Sequence, residues 1–148
     1  MTYLSGEAIA RAFFDRWNQG DADGRGDLFV EDADFVNVVG IWWQRRSQIR
    51  KAHEYGFRKI FGDSYVNITE LKARKLTDNI EIVHTVSTLD GQTGPSDEVP
   101  ERRIAVISMV TVRQGTDGFR IVSCQNTDRV EGMDTHVRSQ SELRPVKY

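Results

Sequence analysis

YVNITELKARKLTDNIEIVHTVSTLD, residues Tyr65 to Asp90, is where the hydrophobic period of the chain changes from helical to two. Alternation along it predicts strands near residues 65–75 and 79–90, divided by the turn residues Thr77-Asp78-Asn79. Toward the C-terminus the same period predicts strands near 101–114 and 118–128. The breaks are a Gly/Pro-rich stretch from Gly91 to Pro100 and the sequence Gly115-Thr116-Asp117-Gly118. Successive strands with short connections favour an antiparallel meander.

Upstream of Tyr65 the period is mostly helical. Ser5 is placed to cap a helix in which Ile9, Phe13 and Trp17 recur at helical spacing, Ala10 and Phe14 widen the stripe, and Gly20 suits a left-handed stop. Asp21 is placed to cap a second helix carrying Leu28 and Phe29, weakened by Gly24 and Gly26. Asp34 to Val39 reads as a strand ended by Gly40, followed by Ile41, Trp42 and Trp43 in a turn or short extension. Ser47 opens a third helix with Ile49, Ala52, His53, Phe57, Ile60 and Phe61 along one face, closed by Gly62-Asp63. Helices come first and strands afterwards, which is an α+β order.

The chain has 148 residues, a size that supports one core. Its 20 basic and 22 acidic side chains are interspersed and leave a net charge of −2. Without a Lys/Arg block there is no footprint for a phosphate backbone, so nucleic acid is not an expected partner. No basic segment followed by an apolar run opens the chain and no segment has the apolar length of a bilayer span, so the expected location is cytoplasmic, with no membrane partner. One cysteine, Cys124, excludes an internal disulfide and reads as a small buried hydrophobe. Three histidines in separate segments form no recognised metal spacing, so neither metal nor cofactor is expected.

Four segments each bring a polar group to a face read as core. Asn37 lies with Phe35 and Val39, His53 lies on the apolar face of the third helix, and His84 lies with Ile80, Ile82, Val86 and Thr88. The last strand puts Gln125 with Phe119, Ile121 and Ser123, and Asn126 follows, so one of the two amides faces inward. An unpartnered buried amide or imidazole costs roughly 1–3 kcal/mol, so these groups bond one another, a water or a ligand. Either they form a satisfied internal network, or they converge on a pocket walled by Phe14, Trp17, Phe35, Trp42 and Phe57. In a pocket, His53 and His84 are the candidate acid/base groups, while Asn37 and Gln125 or Asn126 orient a ligand or polarise a carbonyl. Trp42 and Trp43 are read either as rim aromatics or as core side chains. Asp32 and Asp34 read as a solvated edge. Arg45-Arg46 and Arg102-Arg103 read as solvated ends of elements, the second pair also as a partner for an acidic ligand.

The element order, with Trp17-Asn18-Gln19-Gly20-Asp21, Leu28 to Asn37 and Cys124-Gln125-Asn126-Thr127, resembles the nuclear transport factor 2-like superfamily, in particular its SnoaL-like, SgcJ/EcaC-type branch. The resemblance implies a cone-shaped, cystatin-like α+β barrel over residues 1–128, with N-terminal helices on a curved, mainly antiparallel sheet. It leaves 129–148 as a polar tail docked on its own or a neighbouring chain. It further implies a homodimer through the sheet and a pocket for a hydrophobic small molecule of natural-product biosynthesis, of the polyketide or enediyne kind. The chemistry it suggests is cofactor-free isomerisation, dehydration or cyclisation. The late aspartate base of the superfamily's cyclases and ketosteroid isomerases has no match here, since Gln125 and Asn126 occupy that region. That favours, as an alternative, a non-catalytic carrier; a homo-oligomeric assembly module is a third reading.

Overall fold

A computed structural model describes residues 1–148. Helix α1 spans Gly6–Asn18 and begins where the sequence predicts, the Ala8 amide donating to Ser5 Oγ at 3.0 Å. Gly20 takes φ 64° just past its end. Helix α2 covers only Ala22–Gly26, with the Gly24 amide donating to Asp21 Oδ1 at 2.8 Å. It does not reach Leu28 and Phe29, because two glycines in five residues remove most helical propensity. Phe29 instead opens strand β1, Phe29–Val36, and pairs with Ile121. The first strand therefore starts before Asp34 and stops before Asn37, whose side chain turns the chain.

After β2 (Trp42–Trp43) comes α3, Arg46–Lys59, which buries Ile49, His53 and Gly56. Strands β3 (Tyr65–Thr77), β4 (Ile80–Asp90), β5 (Arg103–Arg113) and β6 (Phe119–Asp128) form the meander expected from the sequence. One sheet has the order β2-β1-β6-β5-β4-β3, antiparallel throughout except for β1 beside β6. Helix α1 lies across its inner face, and Phe13, Phe29, Phe119, Ile9, Met109 and Ile121 are the bulk of what is sealed between them. The inner face of β4 is Val83, Thr85 and Ser87, all buried. That corrects the expected set of Ile80, Ile82, His84, Val86 and Thr88, which lines the outer face.

A second correction concerns β6. Val110 stands opposite Ser123 and Thr111 opposite Ile121, which makes Val122 an extra residue in the ladder. This β-bulge resets the alternation. Phe119 and Ile121 point inward before it, and buried Cys124 and part-buried Asn126 after it, leaving Ser123 and Gln125 outside.

Past Asp128 the chain forms a separate hairpin of β7 (Thr135–Ser139) and β8 (Glu142–Val146), turned by Gln140 and Ser141 at φ 52° and 63°. No helix is long and apolar enough to cross a membrane.

The start of the chain is tied to the far end of the sheet through Tyr3, whose carbonyl accepts from the Phe119 amide at 2.7 Å beside Gly118. Gly118 has φ 77°, and a Cβ there would collide with the Tyr3 carbonyl oxygen. Gly115, in the same loop at φ 53°, would meet nothing. Both substitutions to alanine incur the left-handed penalty of about 1–2 kcal/mol. Gly118→Ala adds the collision, so urea denaturation should show it less stable than Gly115→Ala by at least about 1 kcal/mol.

Candidate functional site

Between α1, α3 and the inner face of the sheet lies a cavity with two lobes that share Trp17, Arg25, Leu89, Arg103 and Asn126. The larger, about 130 Å³, is completed by Phe35, Asn37, Trp43, His53 and Phe61 among others. The smaller, about 50 Å³, adds Phe14, Val66, Ser87 and Ile107. For comparison, a dry cavity of about 150 Å³ holds a benzene ring.

Local sequence explains how each wall is held. Trp17, one turn past Phe13 on α1, donates its indole N–H to Ser64 Oγ at 3.0 Å and packs on Phe57 and Phe61 at 5.0 and 4.9 Å between ring centroids. Gly56 on α3 lets Phe61 approach, since a Cβ there would stand 3.3 Å from its ring. Asn37 takes its backbone out of β1 by accepting from the Val39 and Ile41 amides at 3.1 and 2.9 Å.

His53 sits among Phe35, Trp43 and Trp17, with centroid separations of 5.3, 5.9 and 6.3 Å. Its Nδ1 is 2.7 Å from the Ile49 carbonyl. A carbonyl only accepts, so Nδ1 carries the hydrogen and Nε2 is left as an acceptor. Burial, and then the positive charge of Arg25, push the imidazole pKa down to about 3, against the opposing effect of the Ile49 bond. At neutral pH the ring is uncharged.

Arg25 is 3% exposed, with its guanidinium carbon 3.6 Å from the centre of the Phe13 ring and 4.6 Å from that of Trp17. Its Nε and Nη1 are buried without a hydrogen-bond partner. Burial lowers its pKa to about 9, so it remains a cation at pH 7. Arg103 is the opposite case. Its Nε and Nη2 donate to both oxygens of Asp128 at 2.9 and 3.1 Å, and its Nη1 donates to Gln92 at 2.9 Å. Two neutral groups of the inner face have unspent capacity too, Asn126 Oδ1 and Thr85 Oγ1.

Of the residues singled out from the sequence, Phe14, Trp17, Phe35, Asn37, His53 and Asn126 meet on this cavity. Phe57 stands behind Trp17 as support. Trp42 is 57% exposed and donates to Asp34 Oδ1 at 2.8 Å, while Trp43 takes the wall position, because the two alternate across β2. His84 and Gln125 lie together in a groove on the outer face of the sheet with Val106, Ser108 and Val110, separated from His53 by the sheet itself. Arg25 was not foreseen, and Phe61 only as part of a helix face. An arginine in a short helix between Gly24 and Gly26 looks like any solvated charge, and nothing local distinguishes it. A larger groove of about 710 Å³ is walled by Glu31, Asp32, Arg45, Arg46 and Arg50 among others, without an apolar residue, unlike the mostly apolar walls of small-molecule sites.

No family model and no curated protein matches the chain. Solved structures do. A protein with a cystatin-like fold from Caulobacter vibrioides is 24% identical with a TM-score of 0.77, over 84% of this chain and 87% of that one. A ketosteroid isomerase-like protein from Erwinia carotovora atroseptica is 13% identical with a TM-score of 0.69, over 84% and 93%. A nuclear transport factor 2-like superfamily protein from Salmonella enterica serovar Typhimurium is 12% identical with a TM-score of 0.71, over 84% and 88%. At these identities the likeness is one of architecture: the chain has the cystatin-like, nuclear transport factor 2-like α+β fold.

Proposed function

We propose that this chain is a small-molecule cavity protein, holding a largely apolar ring between Trp17, Phe35, Trp43 and Phe61 and addressing its polar substituents with His53, Asn126 and Arg25. The observation that carries the reading is the pair of residues with buried, unpartnered polar atoms, Arg25 and Asn126, on a cavity wall rich in aromatic side chains. The chemistry it supports is proton transfer without a cofactor, isomerisation or dehydration, with Nε2 of His53 as the acceptor. The ligand we propose is a natural-product intermediate of the polyketide or enediyne kind, a reading supported by the resemblance of the sequence to the SnoaL-like, SgcJ/EcaC-type branch; the cavity has room for one ring of it.

A second reading, a carrier without turnover, is favoured by one observation. An imidazole held at about 3 is a weak base, and the carboxylate nearest the cavity, Asp128, is engaged by Arg103. We place a homodimer contact on the outer face of the sheet, where Ile82, Val86, Val106 and Val110 make an apolar surface around His84, with the β7–β8 hairpin reaching the neighbouring copy. Light scattering should give twice the chain mass, and Val110→Glu should reduce it to one.

Titration with polyketide extracts and single-ring aromatics, followed by tryptophan emission and native mass spectrometry, tests the cavity. Quenching should survive Trp42→Phe, fall in Trp17→Phe and in Trp43→Phe, and be largely lost when both are replaced. Retention of no compound would end the reading. His53→Gln should retain the ligand in either case, and abolish its conversion only if His53 moves the proton.

The neutral state of His53 has its own signature. Between about pH 6.5 and 3 the unfolded chain binds a proton on this imidazole that the folded chain refuses, so stability falls as pH is lowered through that window. From pH 7 to 5 the wild type should lose about 2 kcal/mol more than His53→Gln by urea denaturation.

A further inference from the structure

Arg25 is the one buried charge in the molecule without an answering charge. None of the six ion pairs includes it, and the groups that share the cavity offer no anion: His53 is neutral, Asn126 is an amide, and Asp128 already accepts two bonds from Arg103. Cys124 on the adjoining inner face is held as a thiol, burial pushing its pKa up to about 12. The faces of Phe13 and Trp17 are attractive to a guanidinium, but a contact of that kind contributes roughly 0.5–2 kcal/mol. Removing an ion from water costs several. A fold that retained Arg25 only to staple two aromatic rings would do better with a hydrocarbon of the same length.

From this we infer that the cavity takes a small aromatic carboxylate, its acid group paired with the Arg25 guanidinium and its ring lying against Trp17, Phe35 and Trp43. The inference rests on the cavity reading given above and adds the charge of the ligand to it. Three features select a carboxylate over a phosphate ester. The carboxylate carries one charge, which one guanidinium neutralises. It is planar, as the guanidinium is. And the remaining walls are apolar or uncharged apart from Arg103, which Asp128 and Gln92 already engage, with no second free cation to meet a dianion. Asn126 Oδ1 has an acceptor to spare, so a ring hydroxyl on the ligand has a partner as well.

The test is isothermal titration of the intact chain at pH 7.5 with benzoate, 4-hydroxybenzoate, methyl benzoate and phenyl phosphate. Benzoate should bind about 10- to 100-fold more tightly than its methyl ester, the usual worth of hydrogen bonds to a charged group. Arg25→Met should lose the preference for the acid over the ester. Arg25→Lys, which keeps the charge without the fork, should keep only part of it. If Arg25→Met does not fold, the wild-type ratio and Arg25→Lys still decide. Equal binding of acid and ester by the wild type, or a preference that survives Arg25→Met, would overturn the inference while leaving the cavity reading intact. Tighter binding of phenyl phosphate than of benzoate would overturn the choice of carboxylate. If neither acid nor ester binds, the cavity reading fails and this inference fails with it.

Discussion

The extra residue at Val122 governs what the concave side of this sheet presents. Strand β6 is the centre of the fold, antiparallel to β5 on one side and parallel to β1 on the other, so its face assignment is inherited by both neighbours. Before the bulge it delivers Phe119 and Ile121 to the core under α1. After it, the inward positions are Cys124, Asn126 and Asp128, the last holding Arg103 across the rim. Without the bulge, Ser123, Gln125 and Thr127 would face inward, and Arg103 would have no carboxylate beside it. The division of the interior into a sealed apolar half and a half with polar groups is thus one backbone event, placed where the ladder absorbs an unpaired residue at low cost.

That division explains why Arg25 is tolerated where it is. Phe13 touches Phe14, Phe29 and Phe35 with centroids 5.2 to 6.3 Å apart, and Phe14 and Phe35 go on to line the cavity. Arg25 lies over the same Phe13 ring, its guanidinium carbon 3.6 Å from the ring centre. It gets there because α2 is only five residues long and Gly26 lies against the side chain of Arg50, which lets α2 sit close to α3. The side chain is packed and its charge is not answered, a combination that native interiors usually avoid.

The strand meander and the first helix were legible because their signals are local. Period two, turn residues at the breaks and a serine cap identify elements whatever surrounds them. The faces of the strands were less legible. In β4 the more apolar set, Ile80, Ile82 and Val86, lies outside, and the set with Thr85 and Ser87 lies inside, so choosing the greasier face gave the wrong side for His84. A sheet whose outer surface is itself apolar defeats that rule, and a bulge defeats it again at Gln125. His53 and Asn37 were found because a polar residue amid apolar neighbours within one element is visible in one dimension. Arg25 was not, since its aromatic neighbours come from another helix, and its lack of a counter-ion is a property of the whole interior.

His53 and Arg25 face the same space, and their charges are linked. Two effects hold the imidazole neutral, burial first and the arginine's charge second, and a charged ligand acts directly on the second. An anion on Arg25 cancels that field at His53, whereas the Arg103–Asp128 pair, already balanced, alters it little. Proton affinity at Nε2 therefore rises when the cavity is occupied by an acid and not when it is occupied by a neutral molecule of the same shape. By reciprocity, a proton on His53 tightens the hold on the anion by the same factor. The weak base of the empty cavity and the stronger one of the filled cavity are the same residue, so the ligand-free pKa by itself does not decide between catalyst and carrier. What decides is how much of the depression survives once the charge of Arg25 has been met.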